Sequence, residues 1–342
     1  MRGTVIHGEG DVRLEELPEP TIMAPTDAIV RITATCICGS DLWSYRGINA
    51  VNKPRPIGHE YCGVVEAVGS EVTSVRPGQF VVGPFWSADN TCANCRNGIQ
   101  TTCVHGSAMT GCQAEAVRVP FADGDLVATP EMPPAELVPD LLTLSDVMGT
   151  GWFAAECAGV QRGMTVAVVG DGAVGLCGVL AAVEKGAERV IAMSRHKSRQ
   201  DLALAFGATD IVAERGDEGV ARVKEMTGGI GADAVLECVG TADAMQQAIR
   251  STRPGGFVGF VGLPHGVTFG AEDIFRTQVG LRGGVAPVRR YLPDLIDRVL
   301  AGKLKPGKVF DVTLPLERVA DGYRAMDERS AIKILLDPSP RN

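Results

Sequence analysis

The stretch Val166-Ala167-Val168-Val169-Gly170-Asp171-Gly172-Ala173-Val174-Gly175 decides the fold, because an apolar run leads directly into three glycines at fixed spacing. The run predicts a buried strand, and the apolar residues that follow predict a helix beginning at the glycine turn. A helix N-terminus offers N–H donors and positive dipole to a pyrophosphate. The pattern therefore predicts a dinucleotide-binding turn; the alternative is an ordinary glycine-rich turn. We predict cofactor contacts at Gly170, Gly172, Ala173, Val174 and Gly175.

Further strands and helices alternate after this turn. Strands that alternate with helices at this spacing imply right-handed crossovers and a parallel sheet. The fold class is therefore α/β, with a Rossmann doubly wound parallel sheet. The predicted strands are Thr165 to Val169, Arg189 to Met193, Asp210 to Val212, Asp233 to Cys238, Gly256 to Val261 and Gly280 to Val285.

The sequence before this region is different, with short alternating runs separated by Pro- and Gly-rich turns. Runs such as Ala28 to Ile32 and Gly63 to Val68 predict a β-rich unit between about residues 4 and 130. Near the end of the chain, Arg290 to Leu300 predicts an amphipathic helix and Ile332 to Leu336 predicts a strand. We expect this tail to rejoin the β-rich unit.

Composition excludes several classes of function. The chain has 342 residues, 45% of them hydrophobic, with a formal net charge of -8. A chain of this length can form two ordinary domains. The excess of acidic residues leaves no broad basic surface, so we expect no nucleic-acid partner. The longest apolar stretch is broken by Asp171 and glycines, so we expect no membrane partner. Charged residues appear by Glu9, leaving no room for a signal-peptide core, and we expect a cytoplasmic protein.

The second predicted strand of the Rossmann unit ends in Met193-Ser194-Arg195. An NAD-binding unit usually has Asp or Glu there, where the carboxylate accepts from the ribose 2′-hydroxyl. Ser194 can donate to a 2′-phosphate instead, and Arg195 can pair with it through charge-assisted hydrogen bonds. We therefore predict that NADP is preferred over NAD. A solvated basic turn is the alternative.

Three distant segments contain side chains that can bind zinc: Cys36-Ile37-Cys38, Gly58-His59-Glu60 and Leu144-Ser145-Asp146. A thiolate, an imidazole and a carboxylate are competent zinc ligands, and three protein ligands leave one position for substrate. Spacing alone does not pair these segments. Each residue taken alone has a structural alternative. Cys38 could be a small buried core residue, His59 could be a hydrogen-bonded core residue, and Asp146 could cap a helix.

These motifs resemble the zinc-containing branch of the medium-chain dehydrogenase/reductase superfamily along nearly the whole chain. Gly58-His59-Glu60 followed by Gly63, Val65 and Val68-Gly69 is similar to that family's zinc signature. The run from Asp146 to Gly151 resembles microbial NADP-dependent secondary-alcohol dehydrogenases. The resemblance implies that Cys38, His59 and Asp146 are catalytic zinc ligands and that Glu60 is a possible transient ligand.

The resemblance also implies a domain organisation and further site residues. It implies a β-rich, GroES-like catalytic zinc-binding domain at residues 1–144 and 286–342, a dinucleotide-binding domain at 145–285, and a homodimer or homotetramer. Ser40 resembles the hydroxyl that relays the alcohol proton. Trp43 stands where some relatives have histidine, which leaves the outer end of that relay undefined. The remaining implied cofactor contacts are Thr150, Val239, Gly240, Val261, Gly262 and Leu263.

A second cysteine cluster is local, running from Asp89 through Cys92 and Cys95 to Cys103. The family has four cysteines around a structural zinc here, and Asp89 replaces the first. Three thiolates with one carboxylate carry the same ligand charge as four thiolates, so we predict a structural zinc site. An empty thiol lobe is the alternative. The other cysteines lack ligand spacing, and His7, His105, His196 and His265 show no partner in the sequence.

The resulting functional prediction is a zinc-dependent oxidoreductase that transfers a hydride between an alcohol, or its aldehyde or ketone, and NADP(H). Its partner is a small-molecule alcohol or carbonyl compound. Two alternatives remain: a zinc-free quinone or enone reductase of the same superfamily, and a noncatalytic nicotinamide-binding protein.

Overall fold

A computed structural model of the chain describes residues 1–339. Two compact units make up this part of the chain: Met1–Asp146 together with the residues from Pro287 onward, and Val147–Ala286. The predicted domain boundaries differ from these by at most two residues. The predicted first domain extends to residue 342, and positions 340–342 lie outside the described residues. No helix in residues 1–339 combines the length and hydropathy that a bilayer crossing requires.

The first part of the chain contains ten short strands, four helices and two 3₁₀ turns, Gln100–Thr102 and Ala135–Leu137. The strands are β1 Arg2–Gly8, β2 Asp11–Glu16, β3 Ala28–Cys36, β4 Arg55–Pro56, β5 Tyr61–Val68, β6 Phe80–Gly83, β7 Trp86–Ser87, β8 Ser107–Ala108, β9 Ala116–Val119 and β10 Val127–Ala128. The helices are α1 Asp41–Tyr45, α2 Ala93–Arg96, α3 Ala122–Asp125 and α4 Val138–Thr143.

The second part alternates helices with strands. The helices are α5 Val147–Cys157, α6 Ala173–Glu184, α7 Lys197–Ala205, α8 Gly216–Met226, α9 Ala242–Ser251 and α10 Ala271–Phe275. The strands are β11 Thr165–Val169, β12 Arg189–Met193, β13 Asp210–Val212, β14 Ala232–Glu237, β15 Thr252–Phe260 and β16 Gly280–Gly283. The chain then returns to the first unit with α11 Val288–Leu300, the 3₁₀ turn Pro306–Val309, β17 Val312–Pro315, the 3₁₀ turn Leu316–Arg318, α12 Val319–Asp327 and β18 Ile334–Asp337.

The first unit is built on a seven-stranded sheet with the order β10-β6-β5-β3-β18-β17, in which β9 also pairs with β3. Its long central strand β3 is rich in β-branched residues, and seven of its nine residues are buried. The C-terminal strand β18 pairs antiparallel with β3. The tail thus adds a strand to the sheet of the first unit, and the predicted apolar stripe of α11 is buried at Leu292, Leu295, Ile296 and Val299.

The second unit is a six-stranded parallel sheet with the order β13-β12-β11-β14-β15-β16. This is the strand order of the doubly wound dinucleotide-binding fold, so the predicted fold class is confirmed. Strands β11, β12 and β13 have the predicted bounds. Strand β15 begins at Thr252 rather than at Gly256, because pairing with β14 continues through an irregularity before Phe257. Strand β16 ends at Gly283, two residues before the predicted end.

Candidate active site and metal clusters

Four of the predicted residues, Cys38, His59, Glu60 and Asp146, come together in the first unit. Each offers a ligand atom, and these atoms all lie within 4.8 Å of one another. The Sγ atom of Cys38 lies 3.4 Å from Oδ2 of Asp146, and Nε2 of His59 lies 3.3 Å from the same oxygen. We call these four residues the buried cluster.

The central sheet explains how distant segments meet. Cys38 lies just beyond β3, while His59 and Glu60 directly precede β5, and the ends of these strands pair at Thr35 and Tyr61. The segment carrying Asp146 is attached next to them by Ser145. Its hydroxyl accepts the N–H of Tyr61 at 3.1 Å and donates to the carbonyl of Gly83 at 2.6 Å. Pairing in the sheet and this buried hydroxyl therefore fix the cluster.

A second layer of polar residues, which sequence reasoning missed, supports the ligands. Asp41 Oδ1 lies 3.5 Å from His59 Nδ1, so the other ring nitrogen, Nε2, points toward Asp146. Asp41 Oδ2 accepts the N–H of Cys38 at 3.0 Å and the side-chain amide of Gln113 at 3.1 Å. The Tyr323 hydroxyl in turn donates to Gln113 at 3.1 Å. Partners of this kind fix the ring orientation of a metal-binding histidine.

Lys333 is a further residue that the sequence analysis did not identify. Its Nζ lies 2.7 Å from Glu60 Oε1 and donates to the carbonyl of Ile37 at 3.2 Å. Both members of the ion pair are buried. The second oxygen of Glu60, Oε2, is buried and has no hydrogen-bond partner in the described residues.

The electrostatics of the buried cluster favour a cation. Burial raises the pKa of Cys38, and the neighbouring carboxylates of Asp146 and Glu60 raise it further. Burial also raises the pKa of Glu60, against the opposing charge of Lys333. Burial disfavours charge on His59, yet Asp41 and Cys38 raise its pKa well above the usual value. A thiol, an imidazole and carboxylates in one buried space, with an unpartnered Glu60 oxygen, fit the donor chemistry of zinc.

The second cluster, which we call the cysteine lobe, consists of Asp89, Cys92, Cys95 and Cys103. The ligand atoms of the three cysteines lie within 4.8 Å of one another. Asp89 Oδ1 lies 3.2 Å from Cys103 Sγ and 4.0 Å from Cys95 Sγ. Backbone N–H groups of Cys95 and Val104 lower the pKa of Cys92 to about 6, whereas burial raises that of Cys95 to about 12. A thiolate-forming group beside three further donors also fits zinc.

His105 and His7 have side-chain partners that the sequence did not indicate. His105 Nδ1 lies 2.6 Å from Asp89 Oδ2, and His7 Nε2 lies 2.5 Å from Glu15 Oε1. His7 and Glu15 lie on neighbouring antiparallel strands, β1 and β2. His105 lies only two residues beyond Cys103, a proximity to a predicted ligand that could have revealed it. All ten cysteines are free thiols.

In the second unit, the glycine turn has the form that a bound pyrophosphate needs. Gly170 has a φ of 117°, which favours glycine. A Cβ on Gly175 would lie 2.0 Å from the carbonyl oxygen of Gly170, so this approach of helix to strand requires glycine. A Cβ on Gly172 would meet nothing within 4 Å. Helix α6 begins at Ala173, with Gly172 as its N-cap. The N–H groups of its first turn have no partner within the helix and face the space beside Gly172.

At the end of β12, Ser194 is buried, and its hydroxyl donates to Asp171 Oδ2 at 2.8 Å. Arg199 pairs with the other oxygen of Asp171 at 3.3 Å. Arg195 is exposed and makes no ion pair within residues 1–339. Arg195 thus has a free guanidinium at this strand end, whereas Ser194 already has an acceptor.

The two remaining predicted cofactor turns contact each other through Glu237. Its Oε1 accepts the N–H groups of Val239 and Gly240, both at 2.8 Å. Its backbone carbonyl accepts the N–H groups of Val261 and Gly262 at 2.9 and 3.3 Å. A Cβ on Gly240 would lie 2.1 Å from the carbonyl oxygen of Leu263. Glu237 therefore holds both turns in place through hydrogen bonds. Thr150 lies in α5 and is buried.

A doubly wound dinucleotide-binding unit and a β-rich unit with a Cys-His-Glu-Asp cluster together define a zinc-type nicotinamide dehydrogenase. Comparison with known proteins agrees. The "Alcohol dehydrogenase GroES-like domain" family matches residues 24–131, and the "Zinc-binding dehydrogenase" family matches residues 173–301. The chain belongs to the zinc-containing medium-chain alcohol dehydrogenase family and is an NAD(P)-dependent oxidoreductase.

Individual relatives match over almost the whole chain. A protein of Mycobacterium tuberculosis named "Probable zinc-binding alcohol dehydrogenase" is 35% identical over 100% of this chain and 90% of its own length. The solved alcohol dehydrogenase of Thermus sp. ATN1 is 34% identical, with a TM-score of 0.90 over 98% of this chain and 99% of that one. A structure titled NAD-dependent alcohol dehydrogenase is 28% identical, with a TM-score of 0.85 over 98% and 99%. Membership of the family implies zinc and a nicotinamide cofactor.

Proposed function

We propose that the protein transfers a hydride between an alcohol, or its aldehyde or ketone, and NADP(H), with catalytic zinc held by Cys38, His59 and Asp146. The observation that carries this proposal is the buried cluster, which joins a thiol, an imidazole and a carboxylate within 4.8 Å. Bound zinc supplies a Lewis acid that polarises the substrate oxygen, and the bound nicotinamide supplies or accepts the hydride.

The surrounding residues have positioning roles in this proposal. Asp41 orients His59 so that Nε2 faces the other ligands. Lys333 holds Oε1 of Glu60 at 2.7 Å, which leaves Oε2 for transient coordination. Three permanent protein ligands leave one coordination position for the substrate. Ser40 precedes α1 and its hydroxyl does not cap that helix, so we assign it the transfer of the alcohol proton.

The preference for NADP rests on Arg195. Its guanidinium is exposed and free of ion pairs within residues 1–339, and no carboxylate ends β12. The negative charge of nearby Asp171 is countered by Arg199 at 3.3 Å. We propose that Arg195 pairs with the 2′-phosphate of the cofactor. The turns at Thr150, Val239–Gly240 and Val261–Leu263 are the proposed contacts of the rest of the cofactor.

Substitution of Arg195 tests this preference. We expect Arg195→Ala to raise KM for NADPH about 10-fold, the loss of one exposed charge-assisted interaction, and to leave KM for NADH nearly unchanged. Lys197→Ala is the matched control, because Lys197 is a neighbouring exposed cation already paired with Asp201. Equal effects of Arg195→Ala on both cofactors would exclude the 2′-phosphate contact.

The cysteine lobe is the proposed structural zinc site, with Asp89, Cys92, Cys95 and Cys103 as ligands. Three thiolates and one carboxylate satisfy the tetrahedral coordination of a closed zinc site. We also propose, from the family resemblance, that the protein is a homodimer or homotetramer. Light scattering of the purified protein in solution distinguishes these states from a monomer.

Metal analysis of protein purified without chelator tests the catalytic proposal. We expect about two zinc ions per chain in the wild type and about one in Cys38→Ser, since that site loses a ligand. Oxidation or reduction across an alcohol and carbonyl panel should fall about 10³-fold or more, as expected when several kcal/mol of Lewis-acid stabilisation are lost. Unchanged zinc content in Cys38→Ser would contradict the ligand assignment. Retained turnover of a carbon-carbon double bond would favour the zinc-free reductase.

A further inference from the structure

The two oxygens of Asp89 in the cysteine lobe face different neighbours. Oδ1 faces sulfur, at 3.2 Å from Cys103 and 4.0 Å from Cys95, and also accepts the N–H of Thr91 at 3.0 Å. Oδ2 faces side-chain donors, at 2.6 Å from His105 Nδ1 and 2.7 Å from the Thr91 hydroxyl. Both oxygens therefore have hydrogen-bond partners, and Oδ1 is the one directed at the thiols.

The contact between His105 and Asp89 is directed at the oxygen remote from the sulfurs. Nδ1 of His105 lies 2.6 Å from Oδ2 of Asp89. A carboxylate oxygen accepts hydrogen bonds, so this distance fits donation from the ring nitrogen.

A carboxylate needs such support more than a thiolate does. A cysteine presents a single sulfur, whereas a carboxylate can rotate or exchange its two oxygens. Hydrogen bonds to the second oxygen fix which atom faces the metal, and partners of this kind commonly change metal affinity 10–100-fold.

We propose that His105 is a positioning residue for the metal of the cysteine lobe, fixing Asp89 with Oδ1 toward the three thiols. This inference rests on the proposed zinc site at Asp89, Cys92, Cys95 and Cys103. Among the described residues His105 hydrogen-bonds to Asp89 alone, and its ring is largely exposed. Its role is to hold Asp89, and the loop that provides Cys103 also provides this support.

The test uses zinc release from the full chain carrying Cys38→Ser, so that only lobe zinc is observed. The three further variants are His105→Ala, His105→Asn and His105→Gln, and release into a chromogenic chelator is followed by absorbance. We expect zinc release to be about 10-fold faster in His105→Ala than in the parent. This is the lower end of the 10–100-fold effect of such supporting residues, because the His105 ring is exposed. The asparagine amide nitrogen occupies nearly the place of Nδ1, so His105→Asn should restore a rate close to that of the parent.

His105→Gln is the matched control, because its amide nitrogen lies near the place of Nε2 and leaves Asp89 without the donor. It should release zinc as fast as His105→Ala. Equal rates in all four proteins, or equal rates in the asparagine and glutamine variants, would overturn the proposal.

Two outcomes separate this inference from the proposed zinc site. A Cys38→Ser parent that contains no zinc would refute the site itself, and the inference with it. Asp89→Ala is expected to lose the lobe zinc. If it keeps its zinc and loses it only when His105→Ala is added, then His105 is a ligand and the positioning role is wrong.

Discussion

The buried cluster and the cysteine lobe lie in the same compact unit but are held by different physical means. The buried cluster draws ligands from segments 108 residues apart in sequence and is surrounded by buried partners such as Asp41 and Lys333. The cysteine lobe is local, and its apolar core is limited to Ala88, Cys95 and Cys103, with Cys92 packed against it. The fold creates the first cluster, whereas we expect metal binding at the proposed structural site to provide most of the stability of the second.

Loss of the lobe metal is the largest effect that this contrast predicts. Structural zinc contributes roughly 10 kcal/mol of local folding free energy in small zinc domains. We therefore expect Cys103→Ser to open the lobe and to expose the peptide bond after Arg96, the one tryptic site between Asp89 and Gly106. Limited trypsin digestion followed by mass spectrometry should show cleavage there at least about 10-fold faster than in the wild type.

Cys38→Ser is the matched control for this experiment. It removes a ligand from the cluster that the sheet holds in place, so cleavage after Arg96 should remain as slow as in the wild type. Equal protection of Arg96 in Cys103→Ser would show that the lobe folds without metal, and the contrast between the two clusters would fail.

The second prediction concerns the buried ion pair of the first cluster. Lys333→Met leaves the Glu60 carboxylate buried without its cation, and we expect the free energy of unfolding to fall by about 3–5 kcal/mol in urea titrations. Adding Glu60→Gln should recover part of this loss, because it removes the unpaired charge. A double variant as unstable as Lys333→Met would show that Lys333 acts through packing and not through charge.

The third and smallest prediction concerns Asp125 at the base of the lobe. This carboxylate accepts from the Ser87 hydroxyl at 2.5 Å and from the N–H of Ala88, the residue before Asp89, at 2.8 Å. Burial raises the pKa of Asp125 to about 7, although the hydrogen bonds of Ser87 and Ala88 lower it. The folded chain therefore keeps this proton over a pH range in which the unfolded chain releases it.

The sign of the pH effect follows from this difference. Stability due to the protonated carboxyl is complete below about pH 4 and is lost as the pH rises to about 7. Asp125→Asn stays neutral, so its unfolding free energy relative to the wild type should increase by up to about 3 kcal/mol between pH 5 and pH 8. Urea denaturation at both pH values measures this change. A difference between the two proteins that does not vary with pH would exclude titration of Asp125 in this range.

The Rossmann unit was predictable because its signals are local. Strands such as β11 are continuous apolar runs buried on both faces, and the glycine turn directly follows. The ligands of the buried cluster were recognisable only by family resemblance, since no local pattern joins Cys38 to Asp146. The ion pair of Glu60 and Lys333 spans 273 positions, and no periodicity or spacing could indicate it.

The cysteine lobe shows a different reason for error. The ligand spacing of the lobe is visible in the sequence, but the role of His105 as the partner of a ligand is not. Its distance from Cys103 was a usable signal. Ser194 stays a predicted cofactor contact, and the sequence did not indicate that Asp171 in the glycine turn provides an acceptor 2.8 Å away. Both contacts depend on which neighbours a carboxylate has in the folded chain.

The position of β18 between β3 and β17 has a consequence for biosynthesis. The ribosome makes Val147–Ala286 as one uninterrupted segment, so this unit has all its strands while the first sheet still lacks an interior strand. We expect the nucleotide-binding half to reach its native state first during translation. Lys333 is made 273 positions after Glu60, and until then Glu60 lacks this counter-charge. The ion pair beside the buried cluster thus forms only after the whole of the second unit has been synthesised.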